Sequence, residues 1–202
     1  MKHEVTIPLM YLQAARLFTA KKDIRPALHG VVIRDGYVAG TQGHYVGAIR
    51  WADLEGVDEV IVPNDAIDFY LKKVKAFKID TVAIRWERTE GKPATGELTN
   101  GPVVEQFRPI DARFPPFERS LCTHTEPTGH PQFQWSYLVL FEKAAATLGR
   151  TGDAKILVIP NGDNGSARVL VIGFPDFEGV ILPVRSTEYA DTYAALQVDD
   201  LI

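Results

Sequence analysis

The sequence predicts an α+β fold built from three copies of one unit, in which a short strand is followed by a helix and then by further strands. Short stretches of alternating apolar and polar residues, bounded by Gly, Pro and Asn, are typical of strands. Other segments have apolar residues at helical spacing. Because the same order of elements occurs three times along the 202 residues, the chain is predicted to be an internal repeat.

The first unit covers residues 1–52. Its predicted elements are a strand at 3–7, a helix at 9–19 and extended segments at 28–34 and 37–51. Pro8 separates the first strand from the helix. Asp35-Gly36 is a hairpin signal between the two extended segments, so these segments are predicted to pair with each other.

The second unit covers residues 57–121 and repeats this order. Its predicted elements are a strand at 59–62, a helix at 66–77 and strands at 81–88, 94–99 and 103–108. Asn64 or Asp65 is expected to cap the helix, because a short polar side chain can accept hydrogen bonds from the free amides of the first turn. One face of this helix is an apolar stripe and the other is polar. The stripe consists of Ile67, Tyr70, Leu71, Val74 and Phe77, and the polar face of Asp68, Lys72 and Lys75.

The third unit covers residues 132–185 and follows a linker at 122–131 that is rich in Pro, Thr and His. Its predicted elements are a strand at 132–135, a helix at 137–148 and strands at 155–159, 167–172 and 179–184. Ser136 is expected to cap the helix and Gly149 to end it. The apolar stripe of the helix is Tyr137, Phe141, Ala144 and Leu148, and residues 186–202 form a tail.

One such unit is too small to bury a core of its own. A helix that covers one face of the sheet from its own unit is the natural packing, and the units must then pair with each other. Units 1 and 2 are therefore predicted to form one complete domain at 1–121, and unit 3 a half-domain at 132–185.

The composition is that of a globular protein, with 46% hydrophobic and 24% charged residues. The net charge of −4 argues against a protein coated with basic residues, but it is compatible with a local basic face. The single cysteine, Cys122, excludes an internal disulfide and fits a reducing compartment. Without a secretory signal or a membrane-spanning apolar run, the chain is expected to be cytoplasmic.

Five short motifs lie on these units in a defined order. They are Arg25-Pro26-Ala27-Leu28-His29-Gly30 with Thr41-Gln42-Gly43-His44, then Val60-Ile61-Val62-Pro63, Arg113-Phe114-Pro115, Phe133-Gln134 with Ser136-Tyr137-Leu138, and Leu182-Pro183-Val184-Arg185. In this order they resemble the motifs of the bacterial DNA sliding clamp, the beta subunit of DNA polymerase III. Units 1 and 2 resemble the middle domain of that clamp, and unit 3 resembles the second half of its last domain.

The resemblance implies a DNA-clamp fold, with sheets outside and helices on one face, and a role as a DNA replication processivity factor. A ring of this family is built from twelve half-units. Four copies of this chain would supply that number, and two copies could rebuild a whole domain by pairing their third units. A homo-oligomer, either a dimer or a tetramer, is therefore expected, and the reduced size points to a phage or a mobile element.

The helices of a clamp present Lys and Arg to the DNA backbone, which gives non-specific and salt-dependent attraction to double-stranded DNA. The resemblance implies these DNA-binding candidates: Arg16, Lys21, Lys22, Arg25, Lys72, Lys73, Lys75, Lys78, Lys143 and Arg150. The alternative is that they form ordinary solvated helix faces. The third helix has few basic residues, which argues against tight DNA binding.

A clamp also binds short peptides of polymerases and repair proteins in an apolar pocket. The corresponding residues here are Leu28, Thr41, Gly43, His44, Tyr45, Val46, Pro115, Arg119, Val180, Leu182 and Val184. Gln42 and Tyr45 replace an acid and an arginine of the family pattern. Leu182 and Val184 replace adaptable methionines, so a narrower set of partners is expected. The alternative is that these positions only seal an interface between domains.

The tail carries a further candidate site. Residues 197–202 resemble the Q-x-x-x-L-F type of peptide that clamps bind, with Gln197, Leu201 and Ile202 as the candidate contacts. The tail could then occupy the pocket of a neighbour or of another clamp. An ordinary disordered acidic end is the alternative.

The sequence predicts that the protein is not an enzyme. Its histidines include no pair at metal-ligand spacing with Cys or acids, and it has no glycine-rich phosphate loop or nucleophile elbow, so no metal or cofactor is expected. Two alternatives to a clamp that encircles DNA remain. One is a clamp-derived adaptor or decoy for replication proteins, and the other is an interaction protein without a role in replication.

Overall fold

The structure is a computed structural model that describes residues 1–122, 129–149 and 155–184. Part of the predicted linker, Arg150, and the tail with Gln197, Leu201 and Ile202 lie outside these residues. Within them, the predicted α+β class and the repeated units are present. No helix of the described part is both long enough and apolar enough to cross a membrane.

The elements follow the predicted order. Unit 1 contains β1 (Lys2–Pro8), α1 (Leu9–Arg16), β2 (Gly30–Arg34), β3 (Tyr37–Thr41) and β4 (Tyr45–Arg50), with short 3-10 turns at Pro26–His29 and Ala52–Leu54. Unit 2 contains β5 (Val60–Pro63), α2 (Asn64–Val74), β6 (Thr81–Glu87), β7 (Thr95–Asn100) and β8 (Val103–Phe107). The short helix α3 (Glu118–Cys122) follows. Unit 3 contains α4 (Trp135–Thr147), β9 (Ile156–Ile159), β10 (Ala167–Val171) and β11 (Phe174–Ile181).

The strands form two antiparallel sheets. The four-stranded sheet has the order β1-β6-β7-β8, and the seven-stranded sheet has the order β5-β2-β3-β4-β11-β10-β9. Units 1 and 2 are joined because each gives its first strand to the sheet of the other. β1 pairs with β6, with Pro8 opposite Thr81, and β5 pairs with β2, with Pro63 opposite Gly30. The same pairing in both directions relates the two units by an approximate two-fold.

Unit 3 joins unit 1 through a different contact. The last strands of the two units, β4 and β11, pair antiparallel, with Val46 opposite Val180 and Gly47 opposite Gly179. This pairing makes one sheet continuous across both units. At this junction, too, the two units contribute equivalent strands.

Helices α1, α2 and α4 share one side of the sheets and cover the strands of their own units, as predicted. α1 lies in the middle and contacts both α2 and α4. Buried residues of all three units, among them Leu12, Tyr70 and Phe141, form one continuous core. Burial of this apolar surface is the main stabilising term that holds the units together.

The opposite face of the seven-stranded sheet is covered by the chain that follows β8. Phe114, Phe117 and Leu121 pack there against a second buried cluster, which includes Val180 of β11. Arg34 fixes this segment in place. Its guanidinium donates to Glu118 Oε1 at 2.7 Å and to the Pro115 carbonyl at 3.2 Å, and it also forms an ion pair with Glu59.

A row of three glycines crosses the sheet where units 1 and 3 meet. Gly40 of β3 lies opposite Gly47 of β4, which lies opposite Gly179 of β11. A Cβ atom on Gly47 would lie 2.2 Å from the Phe18 ring, and one on Gly179 would lie 2.2 Å from the Phe141 ring. The glycines thus leave the space in which the Phe18 and Phe141 rings pack at 4.9 Å between centroids.

The predicted strand at 132–135 is wrong, because residues 131–134 form no strand and α4 already begins at Trp135. A strand needs a neighbour that pairs with its backbone amides and carbonyls. The equivalent segments of units 1 and 2 find that neighbour in the other unit. In the described part of the chain, residues 131–134 have no such strand beside them.

The predicted capping residues do not occupy the N-cap positions, although the Asp65 carboxylate accepts a hydrogen bond from the Ala66 amide of the first turn at 2.9 Å. The N-cap residues are Pro8, Pro63 and Gln134, and none of them makes a side-chain capping hydrogen bond. Asn64 lies inside the first turn of α2, and its amide donates to the Ala20 carbonyl at 2.9 Å. Ser136 lies one residue inside α4. Gly149 has a φ of +91°, as expected for a residue that ends a helix.

Several boundaries differ from the prediction. α1 ends at Arg16 and α2 at Val74, so Phe77 lies beyond the helix and is half-exposed, whereas the periodicity placed it in the apolar stripe. The extended segment at 37–51 is two strands, separated by residues 42–44. β11 begins at Phe174, five residues before the predicted start, because its long pairing with β10 and β4 extends it.

Substitution Gly47→Ala is expected to lower the free energy of unfolding by about 1–3 kcal/mol, because the added methyl group overpacks the site against the Phe18 ring. Urea unfolding followed by circular dichroism measures this change. The variant Phe18→Leu combined with Gly47→Ala should lose less stability than the sum of the two single changes, since the shorter side chain relieves the overlap. Wild-type stability of Gly47→Ala would contradict this role of the glycine row.

Candidate functional site

A cavity of about 440 Å³ lies where unit 1 meets unit 3. Its wall consists of His44, Gln134, Tyr137, Asn164, Leu182, Pro183 and Val184. Four parts of the chain supply these residues, namely the turn between β3 and β4, the start of α4, the turn between β9 and β10, and the chain after β11. The cavity is therefore a product of the β4–β11 junction and does not belong to one unit alone.

Backbone hydrogen bonds hold the wall of the cavity in place. The Leu182 amide donates to the His44 carbonyl at 2.8 Å, and the Val184 amide donates to the Gln132 carbonyl at 2.7 Å. The chain after β11 is thus fixed between the turn of unit 1 and the segment before α4. This leaves the side chains of Leu182 and Val184 40% and 44% exposed at the cavity.

The turn between β3 and β4 is shaped by Thr41. The Thr41 hydroxyl donates to the Tyr45 carbonyl at 2.7 Å and accepts from the Gly43 amide at 3.1 Å. Gly43 has a φ of +100°, a conformation that glycine adopts without strain. The buried threonine therefore acts on the cavity indirectly, by placing His44.

Aromatic rings form the floor of the cavity. The Tyr137 ring lies 4.8 Å from that of Tyr45 and 6.1 Å from that of His44. Burial raises the pKa of the Tyr45 hydroxyl, and the neighbouring Tyr137 raises it further. His44 Nδ1 lies 3.1 Å from Gln42 Oε1, so the imidazole has a polar neighbour at the rim. An apolar hollow with a polar rim suits an extended peptide with apolar side chains.

The structure brings together only part of the predicted pocket. His44, Leu182 and Val184 line the cavity directly, and Tyr45 supports it from below. Leu28 and Thr41 are buried, and Gly43 is exposed in the turn beside the Arg25 guanidinium. The sequence reasoning missed Gln134, Tyr137, Asn164 and Pro183. The first two belong to the family-like motif at the start of α4, which could have indicated them, whereas no motif marks Asn164.

The remaining predicted pocket residues lie on the other face of the sheet. Val46 and Val180 are opposite each other in the β4–β11 pair and pack in the outer cluster that includes Phe117. Pro115 and Arg119 belong to the segment that covers this face, with Pro115 half-buried and Arg119 exposed. The predicted pocket is thus divided by the sheet into an outer group and the group around the cavity.

The basic candidates divide into ion-paired residues and residues with a free charge. Arg16 forms two hydrogen bonds to Asp68, at 3.1 and 2.7 Å, and Lys73 lies 2.6 Å from Glu105. Hydrogen bonds from Arg25 hold the pKa of Asp23 well below its usual range. The positive charges of Arg16, Arg25 and Lys73 are therefore partly neutralised by acidic neighbours, which weakens the attraction of these residues for a phosphate.

The other described candidates form no ion pair within the described part of the chain, and all are exposed. They are Lys21, Lys22, Lys72, Lys75, Lys78 and Lys143. Lys72 and Lys75 lie at a groove of about 480 Å³ between α1 and α2, on the helical side. The Lys72 ammonium lies 5.3 Å from the centre of the half-exposed Phe69 ring. The helical side therefore has a modest basic patch centred on α2.

The described residues contain no group of three or more His, Cys, Asp and Glu side chains that could hold a metal ion. The side chains around the cavity are aromatic, aliphatic or amide, apart from His44. Their arrangement suits the binding of a ligand more than the transfer of a proton or a group.

A scan of protein-family models and a search of curated proteins find no match to this sequence. A search of solved structures finds sliding clamps. The clamp from Pseudomonas aeruginosa, solved with a ligand, is 17% identical with a TM-score of 0.65, and the match covers 91% of this chain and 66% of the clamp. The clamp from Bartonella birtlesii bound to griselimycin is 16% identical with a TM-score of 0.68, over the same shares of the two chains.

A third match is the polymerase III beta protein of Caulobacter crescentus, with 13% identity and a TM-score of 0.67 over 92% of this chain and 66% of that one. The chain thus spans 66% of the length of the clamps it matches. All three matches are to clamps, and they show which fold the chain has. The chain has the fold of the bacterial DNA sliding clamp.

Proposed function

We propose that this protein is a clamp-like processivity factor, which holds a polymerase or a repair protein on DNA and works as a homo-oligomer. The observation that carries the proposal is the cavity at the junction of units 1 and 3, in which an aromatic floor and two exposed aliphatic side chains meet a polar rim. The partner in this proposal is a short peptide with apolar anchors, and binding needs no catalytic group.

The shape of the cavity supports a peptide partner over a small polar ligand. Leu182 and Val184 follow each other at alternate positions of an extended chain, so their side chains point to the same side. Two apolar side chains of a peptide can pack against them while the amides of Gln134 and Asn164 at the rim pair with its polar groups. The aliphatic wall adapts less than methionine would, which favours a narrow set of peptides.

The DNA part of the proposal depends on the basic patch centred on α2. Lys72 and Lys75 lie on the same side as α1 and α4, where one continuous helical layer faces away from both sheets. Lysines that point from such a layer attract phosphates without reading base sequence. Ion pairs reduce the charge that Arg16, Arg25 and Lys73 can offer. This reduction favours a second candidate function, an adaptor or decoy that binds clamp-binding peptides without encircling DNA.

Peptide binding is tested with a fluorescein-labelled hexapeptide of the Q-x-x-x-L-F type, titrated with protein and followed by fluorescence anisotropy. Leu182→Asp should weaken binding by about tenfold to thirtyfold, because it places a charge against an apolar anchor. The matched control is Ile172→Asp, which changes an exposed side chain in the turn between β10 and β11 and should leave the affinity unchanged. Equal affinities of wild type and Leu182→Asp would overturn the pocket.

DNA binding is tested with a labelled double-stranded oligonucleotide over a series of salt concentrations. The double variant Lys72→Glu with Lys75→Glu should reduce the slope of log affinity against log salt by about 2, because two phosphate contacts are lost. The control, Lys2→Glu with Lys92→Glu, makes the same change of charge on β1 and in the turn after β6, away from the helical layer.

A reduced slope in the α2 variant alone supports the clamp-like proposal. Peptide binding without any salt-dependent DNA binding by the wild type would replace it with the adaptor. Equal slopes for both double variants would show that net charge, and not the α2 patch, governs the attraction.

A further inference from the structure

Strand β9 has an open edge. β10 pairs with one side of it, and no strand of the described residues pairs with the other. Its sequence, Ile156-Leu157-Val158-Ile159, is entirely apolar, as in the largely buried strand β5, yet none of the four residues is buried and Leu157 is 48% exposed. An apolar strand with an unpaired edge is a surface that binds another strand.

The helix of the same unit is also incompletely covered. α4 is apolar on most of its circumference, and Leu138, Val139 and Leu140 are only half-buried. Trp135, at its first position, is 74% exposed. A helix that is apolar all round is normally packed on all sides. In units 1 and 2, α1 and α2 cover each other in part, whereas α4 has α1 on one side only in the described structure.

The repeat defines what should cover this surface. In the complete pair, the first strand of each unit lies on the edge of the first strand after the helix of the other unit. In unit 3, the equivalents are the segment at 131–134 and β9, and neither has this neighbour among the described residues. Both halves of a reciprocal contact are thus present in one unit, so a second copy of that unit can complete both at once.

The register of this contact can be read from the repeat. The third, fourth and seventh residues of α2, Ala66, Ile67 and Tyr70, pack in the core as Tyr137, Leu138 and Phe141 of α4 do. The helix starts are therefore equivalent, and Gln134 corresponds to Pro8 and Pro63. Those two prolines lie opposite Thr81 and Gly30. In each partner strand, the residue that follows is the first one whose side chain faces the helices. In unit 3 that facing residue is Ile156, so the position before it is Lys155.

We propose that two copies of this protein pair through their third units, each adding its segment at 131–134 to β9 of the other. Phe133 then lies opposite Ile156 of the second copy, and Gln132 opposite Leu157 of the second copy. The helices α4 of the two copies meet beside these strands and cover Trp135. The peptide cavity is complete within one copy, so peptide binding does not depend on this contact, which specifies the homo-oligomer of the proposed function.

The backbone of the segment fits this arrangement. The Gln132 carbonyl already accepts the Val184 amide at 2.7 Å, which marks the side of the segment that faces the chain after β11. In an extended chain the next residue points its amide and carbonyl to the opposite side. Phe133 therefore presents its backbone groups to the side where β9 of the second copy would lie. The equivalent residue of β1, Ile7, pairs with Val82 at the same position of the register.

The other open edge of the described structure has a different character. β8 has β7 on one side only, but its residues Glu105 and Gln106 are polar. The Lys73 ammonium binds the Val104 carbonyl at 3.0 Å and Glu105 at 2.6 Å. Charged side chains and occupied carbonyls are devices that keep an edge from pairing. Of these two edges, β9 lacks such protection. Unit 3 therefore supplies the surface that pairs with a second copy.

The register is tested by disulfide trapping in the full chain with Cys122→Ser as background. Gln132→Cys and Leu157→Cys are introduced into separate chains, which are mixed and oxidised. Directly opposed residues of an antiparallel pair are close enough for a disulfide, so the mixture should give a cross-linked dimer on a non-reducing gel. The matched control replaces Leu157→Cys with Ile159→Cys, on the same face but two residues out of register, and should cross-link at least tenfold more slowly.

Cross-linking of the Ile159→Cys mixture as fast as that of the Leu157→Cys mixture would overturn the register. Absence of a cross-link in both mixtures would overturn the contact. With both cysteines in one chain, a disulfide closed within the monomer would show that the segment reaches its own β9, and this outcome also overturns the proposal.

The solution mass gives an independent measurement. By light scattering the wild type should have about twice the chain mass of 22.4 kDa. Leu157→Lys should shift it to a monomer, with little loss of stability because this side chain is exposed in the single copy. Val104→Lys, an equally exposed change on β8, should remain a dimer. A monomeric wild type, or a dimer lost only in Val104→Lys, contradicts the proposal.

Discussion

The close approach of the helices to the sheet at the glycine row is the constraint on which the other contacts depend. Gly40, Gly47 and Gly179 remove the side chains from one line across three strands, so that α1 and the Phe18 and Phe141 rings lie directly on the backbone. Glycine is a poor strand residue, and its cost is offset only where something fills the space it leaves. Here the rings of two different units fill it. The junction of units 1 and 3, and with it the cavity, is held at this line.

The order of elements could be predicted from the sequence because hydrophobic periodicity and turn residues are local signals. The exchange of β1 and β5 between the two sheets could not be predicted in this way, because an alternating strand has the same sequence pattern in either sheet. The segment at 131–134 illustrates the same limit, because its sequence suits a strand but a strand requires a neighbour. The capping positions were mispredicted for another reason: α1 and α2 follow directly on the prolines that end β1 and β5, and Asn64 donates to the Ala20 carbonyl instead.

The candidate site was only partly predictable. His44, Leu182 and Val184 could be found because they lie in family-like motifs, and the fold brings them together through the pairing of β4 with β11. Asn164 lies in a turn with no motif, and its place at the rim follows from the path of the chain between β9 and β10. Val46 and Val180 were grouped with His44 by sequence, yet the alternation of side chains along a strand turns them to the other face.

The odd number of described units limits how copies of the chain can add to one another. Each junction in this fold joins like with like, either by exchange of first strands or by pairing of last strands. Three units therefore leave the described chain with two ends of different kinds, which cannot join each other. A contact between two copies that follows the same rule joins equivalent edges, so it is symmetric and closed and does not repeat head to tail.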